Sequence, residues 1–377
     1  MTGESVAIAA RGGPVALLVP EDERELAEKG FADVVHTFVP ETLESITTVS
    51  ESMKPHLAAM LRTFKINSGS IGIESGASFQ AASYLAVHLY GPVLADVLRE
   101  LVPGARLASA DEHLQTLQSI KTAAELAKIR QACAIAQTAY RAAVPELHAG
   151  MSEPTAAELF HAGLNRPGPF ADLTLRCDGF AFCMSGPNSA TASAAYARTR
   201  SRILQGEDLV MMHCNSYADG FWTDITRTYT LGVPDEKKKK IYEAVHEARD
   251  AAFAIIKPGI RAAEVDSTTR GVVEKFGLGA LLRHGTGHGV GYSPMSAYSR
   301  PRIHGGSPDI LEEGMVFNVE PAVYEEGYGG VRQCNMAAVS KTGVELLTPF
   351  QMDLASVTLA SGPRGAKAAA LEGKGAH

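Results

Sequence analysis

Four stretches of this 377-residue chain place groups able to bind a cation or carry a proton inside otherwise apolar, strand-like runs. They read LVMMHCNSYADGFWTDITRTYTLG at 209–232, RHGTGHGVG at 283–291, MVFNVEPAVY at 315–324 and GGVRQCNMAAV at 329–339. Alternate residues of a strand face one side, so Asp224, Thr226 and Thr228 are expected on one face and Ile225 and Arg227 on the other. A carboxylate buried on such a face must find a cation or hydrogen-bond donors. The same alternation turns Cys214 away from its neighbour His213 and into the core. Trp222, Tyr292 and Phe317, close to these stretches, read as core or pocket wall.

The elements that hold these stretches are legible more coarsely. A chain of this length suits two domains, each able to bury a core. Residues 1–118 alternate short β-like runs (Val15 to Val19, Ile71 to Glu74) with helical stretches such as Phe79 to Leu89, the pattern of a small α/β domain. A long helix is expected from Lys121 to about Leu147, opening a second domain over 119–355. Within it Ala142 to Leu159 echoes Ala251 to Val265: a helix ends at Gly150 or Gly259, 109 residues apart, and another begins. Both glycines suit a helix end that needs positive φ. The echo is either chance punctuation or a duplicated half-domain with pseudo-two-fold symmetry. Lys237–Lys240 reads as a solvated helix face. Periodicity is lost after Pro349, and residues 356–377 are expected to be a disordered tail.

With 42 acidic against 35 basic side chains the net charge is -7, and outside Lys237–Lys240 there is no basic block. A nucleic-acid surface would need a clustered positive footprint, so the expected partners are small peptides or other small molecules. No apolar run approaches the ~20 residues that span a bilayer. Five scattered cysteines are too few for a disulfide framework, and the opening residues lack a basic and apolar signal segment, which points to a cytoplasmic setting. A conspicuous cysteine is then a thiol or a ligand.

Taken together, TDITRT, HGTGHGVG, EGMVFNVEPAVY and GGVR resemble, in order and spacing, the active-site strands of the pita-bread superfamily of aminopeptidase P, prolidase, methionine aminopeptidase and creatinase. The resemblance covers roughly residues 120–350 and, more loosely, the amino-terminal domain. It implies an α+β fold: a pita-bread domain with pseudo-two-fold symmetry, preceded by a smaller α/β creatinase/prolidase-like domain, in a homodimer. The opening MTGESVAIAARGGPVALLVPEDE is similar to an internal segment of the family's N-domain, so Met1 is expected to mark either a truncated domain or a miscalled start.

In the metal-dependent members two Asp, a His and two Glu hold two divalent ions. The second Asp, the His and the first Glu fall on Asp224, His288 and Glu320; the first Asp falls on His213 and the final Glu on Cys334. Asp224 and Glu320 carry a charge of -2, or -3 with a Cys334 thiolate, so the resemblance so altered implies one divalent ion rather than two, or none. A set that includes His213 and Cys334 favours zinc or iron over manganese. His284 matches a family histidine that contacts substrate near the scissile bond, and Arg332 a family arginine able to pair with Glu320 or a substrate carboxylate. Two further family histidines fall on Met295 and Ala195.

The resemblance therefore implies an Xaa-Pro peptidase-like hydrolase that cleaves a C–N bond. The ion at Asp224, His288 and Glu320 would be assisted by His213 or Cys334, with His284, Glu320 and Arg332 as catalytic groups. Two alternatives stay open: a metal-independent, creatinase-like or ectoine-hydrolase-like enzyme with Cys334 as a possible nucleophile, and a non-catalytic peptide-binding pseudo-peptidase.

Overall fold

The structure, a computed structural model, describes residues 5–39, 48–75, 91–174, 176–193, 198–295 and 300–362. The expected helix at Phe79–Leu89, Met1 itself, Ala195 and the last fifteen residues lie outside these ranges. Contacts divide the chain into a smaller unit ending at Leu114 and a larger one from Gln115 onward.

In the smaller unit, β1 (Val6–Ala9) runs antiparallel to β2 (Val15–Pro20), which crosses over through α1 (Arg24–Glu28) to pair in parallel with β3 (Val34–Phe38). Thr48 caps α2 (Val49–Thr63) by accepting from Glu51 N. A second parallel pair joins β4 (Gly69–Ile73) to β5 (Ala105–Ser109), with α3 (Gly91–Leu101) before β5. Leu18, Phe38, Met53, Leu57 and Met60 close the core. At the junction of the two units lies α4 (Asp111–Ser119).

The larger unit opens with α5 (Ala123–Ala143), whose start is set by a reciprocal capping box between Thr122 and Glu125. Next come α6 (Glu153–Leu164), capped by Ser152, then β6 (Cys177–Ser185), β7 (Leu209–Ala218) and β8 (Phe221–Leu231). Between β7 and β8 only Asp219 and Gly220 intervene, both at positive φ, which matches the twist of a tight hairpin. Two more helices, α7 (Glu236–Ile255) and α8 (Ala262–Lys275), precede β9 (Gly287–His288) and β10 (Arg302–Ile303). The chain then runs through β11 (Val316–Val319), β12 (Ala322–Glu325), β13 (Gly329–Arg332), β14 (Asn335–Val339) and β15 (Val344–Leu346). A short α9 (Leu354–Val357) leads into β16 (Thr358–Leu359).

The sheets bear out a duplicated arrangement. Gly150 and Gly259 stand at φ 91° and 87°, and each begins the same contact: Gly150 N donates to Leu204 O and Gly259 N to Leu311 O. The next residues form matching isolated bridges, Ser152 with Ile203 and Arg261 with Ile310. Each helix pair is thus tied to its own half by the same backbone device.

Two expectations are corrected here. Residues 356–359 are not tail: β16 pairs in parallel with the end of β8, and Ser361 O accepts from Ala149 N. A four-residue helix and a two-residue strand are too short to show periodicity, and long-range pairing decides their fate. The Lys237–Lys240 face is also less solvated than expected, because Lys238 is buried with its ammonium on Asp235, and Lys237 reaches Glu325 at 2.5 Å across the ring of Tyr328.

Candidate active site

Alternating threonines and aromatics commit β8 to a strand, and its register with β7 and β6 builds the floor of the site. His213 stands opposite Thr226 and Asn215 opposite Asp224. Phe182 is in turn the partner of His213 across β6, and Phe180 that of Asn215. Directly opposed residues of an antiparallel pair share a face, so Asp224 and Thr226 lie on one face with His213, Asn215 and this aromatic row. Cys214 and Ile225 point the other way and are fully buried in the main core.

Two further strands close on this face. His288 ends β9, and Glu320 follows β11 and donates its backbone N–H to Thr286 O at 2.7 Å. Gly287 makes the approach possible: a Cβ there would stand 2.0 Å from the carbonyl oxygen of Asn318. One ligand atom each from Asp224, His288 and Glu320 falls within 4.8 Å of the others, and Asp224 and His288 are buried. His288 Nε2 is 3.4 Å from Asp224 Oδ2 and 3.7 Å from Glu320 Oε1. Two carboxylates and an imidazole converging in a largely buried recess fit a single divalent cation by charge and by donor type.

His213 and Cys334 border this set without joining it. His213 Nδ1 lies 3.7 Å from Asp224 Oδ1, but it also contacts Thr226 Oγ1 at 2.9 Å and accepts from Arg332 Nη2 at 3.1 Å. Cys334, fully buried, donates its thiol to Asp224 O at 3.2 Å. Burial, reinforced by the Asp224 and Glu320 charges, pushes the Cys334 thiol well above its ordinary range, which speaks against a nucleophile.

Asn318 organises the centre, and the sequence reading passed over it. Its Oδ1 accepts from His288 N at 2.7 Å, which turns its amide nitrogen toward Asp224 Oδ2 at 3.2 Å, His288 Nε2 at 3.1 Å and Cys334 Sγ at 3.5 Å. His288 Nδ1 meets its neighbour's carbonyl, Gly289 O, at 3.1 Å, leaving Nε2 to face the recess. Strand alternation back from Glu320 would have put Asn318 on the same face.

Arg332 does not close an ion pair with Glu320 among the described residues. Its guanidinium donates to Thr226 Oγ1 at 3.1 Å, to Tyr324 OH at 3.3 Å and to Ala192 O at 3.4 Å besides His213. Tyr324 OH also meets His284 Nε2 at 2.9 Å, while His284 Nδ1 meets Gly285 O at 2.7 Å. A continuous chain therefore links His213, Arg332, Tyr324 and His284, and Tyr324, unassigned from sequence, is its hub. Phe317 is core, whereas Trp222 is half-buried on the site face and Tyr292 is exposed.

Charge follows from this packing. Burial opposes the Asp224 carboxylate, but the His288 bond and the charges of His213, His288 and Arg332 prevail and lower its pKa to about 2. Burial, helped by Arg332 and His288 against Asp224, lowers His213 to about 4. Burial, with Arg332 and Arg270, also keeps His284 neutral. For His288 burial is outweighed by the Asp224 bond and the Glu320 charge, and its pKa is raised.

Comparison with solved structures defines the class. The prolidase from Pyrococcus furiosus superposes with a TM-score of 0.71 at 26% identity, over 91% of this chain and 89% of that one. An Xaa-Pro dipeptidase from Bacillus anthracis gives 0.75 at 22% identity, over 96% and 90%. The pita-bread fold expected from the motifs is the fold of this chain. Residues 127–341 match the model of metallopeptidase family M24. YqhT, an uncharacterised peptidase of Bacillus subtilis, is 30% identical over 300 residues, 79% of this chain and 80% of its own. An Xaa-Pro dipeptidase of Pyrococcus horikoshii is 33% identical over 247 residues, 65% of this chain and 66% of its own. The chain belongs to metallopeptidase family M24.

Proposed function

We propose that this protein is an Xaa-Pro dipeptidase-like hydrolase working with one divalent ion held by Asp224, His288 and Glu320. The observation that carries the reading is the convergence of these three groups, with Asp224 and His288 buried and joined through Asn318, in a chain whose M24 relatives include Xaa-Pro dipeptidases. Such an ion supplies Lewis-acid polarisation of the scissile carbonyl and makes water more acidic. Glu320, the least enclosed of the three carboxylate and imidazole groups, moves the proton from attacking water to the leaving proline nitrogen. Neutral His284 keeps its ring proton on Nδ1, toward Gly285 O, so its Nε2 accepts from Tyr324 OH and serves the substrate as an acceptor or proton carrier rather than as a donor to the oxyanion. Arg332 keeps His213 and Tyr324 in place beside this imidazole.

A dimer and a cytoplasmic location complete the proposal. All five cysteines are free thiols, which suits a reducing compartment, and no helix among the described residues is long and apolar enough to cross a membrane. Light scattering on the purified chain tests the dimer. The function is tested by measuring metal per chain and proline release from alanyl-proline, in wild type and Asp224→Ala. The expected result is about one ion per chain and proline release, both lost in the variant. Hydrolysis by metal-free protein would move the reading to a creatinase-like enzyme, and absence of any turnover would remove the hydrolase.

A further inference from the structure

The floor beside the candidate metal site is a grid of three strands. Its middle rung runs Phe180, Asn215, Asp224; the rungs on either side run Asp178, Tyr217, Trp222 and Phe182, His213, Thr226. The aromatic members form a nearly continuous surface. Ring centroids are 5.3 Å apart for Phe180 and Phe182, 6.5 Å for Phe180 and Trp222, and 5.0 Å for Tyr217 and Trp222, while Phe182 stacks on His213 at 6.2 Å.

Asn215 occupies the centre of this grid. It is 4% exposed, and its Oδ1 is buried with no hydrogen-bond partner among the described residues. Leaving a buried amide oxygen unpaired is costly, so an unpaired oxygen here asks for a donor. No group among the described residues supplies one, while Asp224, on the next strand, is engaged with Asn318, His288 and Cys334. The surroundings specify the donor's charge. One flank is the Asp224 carboxylate and the other is aromatic, and both attract a cation, the rings through their π faces.

We infer that Asn215 is a specificity-determining residue that accepts a hydrogen bond from the substrate's free α-ammonium group. The inference rests on the peptidase reading above and deepens it, since it fixes which end of a dipeptide lies over β7 and β6. The scissile carbonyl then sits at Asp224, His288 and Glu320, and the amino terminus one strand away at Asn215.

The matched probes are alanyl-proline and propionyl-proline, which differ only in the amino group. Trp222, the chain's single tryptophan, stands on the neighbouring rung and reports binding by stopped-flow fluorescence before turnover, with calorimetry as a second readout. The wild-type protein is expected to bind alanyl-proline roughly ten- to a hundredfold more tightly than propionyl-proline, the range for a hydrogen bond to a charged group. Asn215→Leu should abolish that ratio without weakening propionyl-proline, and Asn215→Asp, which keeps the acceptor and adds charge, should preserve or enlarge it. A merely structural role would weaken both ligands together. Equal wild-type affinities, failure to bind either ligand, a ratio that survives in Asn215→Leu, or one that collapses in Asn215→Asp would each overturn the inference; if Asn215→Leu does not fold, the wild-type and Asn215→Asp ratios decide it. Amine-dependent binding without proline release would remove the hydrolase and leave this assignment standing.

Discussion

Substituting Asn318 by Asp is the sharpest probe of whether the recess is built for a cation. The amide nitrogen lies 3.2 Å from Asp224 Oδ2 and 3.1 Å from His288 Nε2, so Asn318→Asp replaces a donor with an oxygen at nearly unchanged volume. Two unit charges at that separation repel by about 5 kcal/mol at an effective dielectric near 20. The protein has an escape, which is to protonate the new carboxyl. Raising its pKa from about 4 to above 7 costs about 4 kcal/mol, and this smaller figure sets the loss. For a unit of this size about 4 kcal/mol lowers the melting temperature by roughly 10 °C. A divalent ion reverses the sign, because the added carboxylate becomes a further ligand and the ion stabilises the fold by mass action. The assay is thermal unfolding of wild type and variant, each in chelator and in millimolar manganese or zinc. The variant should be clearly less stable than wild type in chelator and should gain more from metal. Equal stability in chelator, or a metal increment no larger than that of wild type, would refute the reasoning. Asn318→Leu serves as the control: it strands the His288 N–H and should lose stability alike with and without metal.

Other expectations follow from the same packing. His213 has a folded-state pKa near 4 against about 6.5 unfolded, so its contribution is fully present above pH 6.5 and is lost as pH falls toward 4; in metal-depleted protein His213→Gln should gain about 2 kcal/mol on wild type between pH 7.5 and pH 5, read from urea midpoints. Glu153, fully buried, accepts from Ser185 N and Oγ, Asn188 Nδ2 and Arg200 N, so Glu153→Gln turns an amide against donors and should cost roughly 2–4 kcal/mol in urea unfolding at neutral pH. Gly287→Ala should abolish proline release and weaken metal binding, measured by elemental analysis after dialysis, since its Cβ would meet the Asn318 carbonyl and push β9 off β11.

Parts of this site were readable from residue order alone. Alternation in TDITRT placed Asp224 with Thr226 and sent Cys214 inward, because a strand's period of two needs no tertiary information. Gly150 and Gly259 announced positive-φ turns for a similarly local reason, although α5 and α7 themselves end earlier, at Ala143 and Ile255. Roles that depend on which strands meet were not visible. Asn318 and Tyr324 acquire their meaning from β9 and β13, and Arg332 turns to Thr226 and Tyr324 rather than to Glu320 because of where β13 crosses the end of β8. His213 matched a ligand position by alignment, yet its Nδ1 is taken by a guanidinium that sequence could not bring near. Asn215 is similar: an asparagine in a strand is unremarkable until its neighbours prove to be aromatic and its oxygen bare.

The parallel pairing of β16 with β8 bears on how the site comes into being during synthesis. One edge of β8 is covered by β7, which leaves the ribosome just before it; on the other, Thr226 waits for Cys334, and Thr230 and Leu231 wait for Thr358 and Leu359. While the intervening chain is being made, the strand that carries Asp224 keeps peptide groups open at that edge, a template for pairing with another nascent chain. Completion of the strand on which the carboxylate rides is thus coupled to the arrival of segments far downstream, and a ribosome stalled before Leu359 would hold a chain in which the far end of that strand is still sticky.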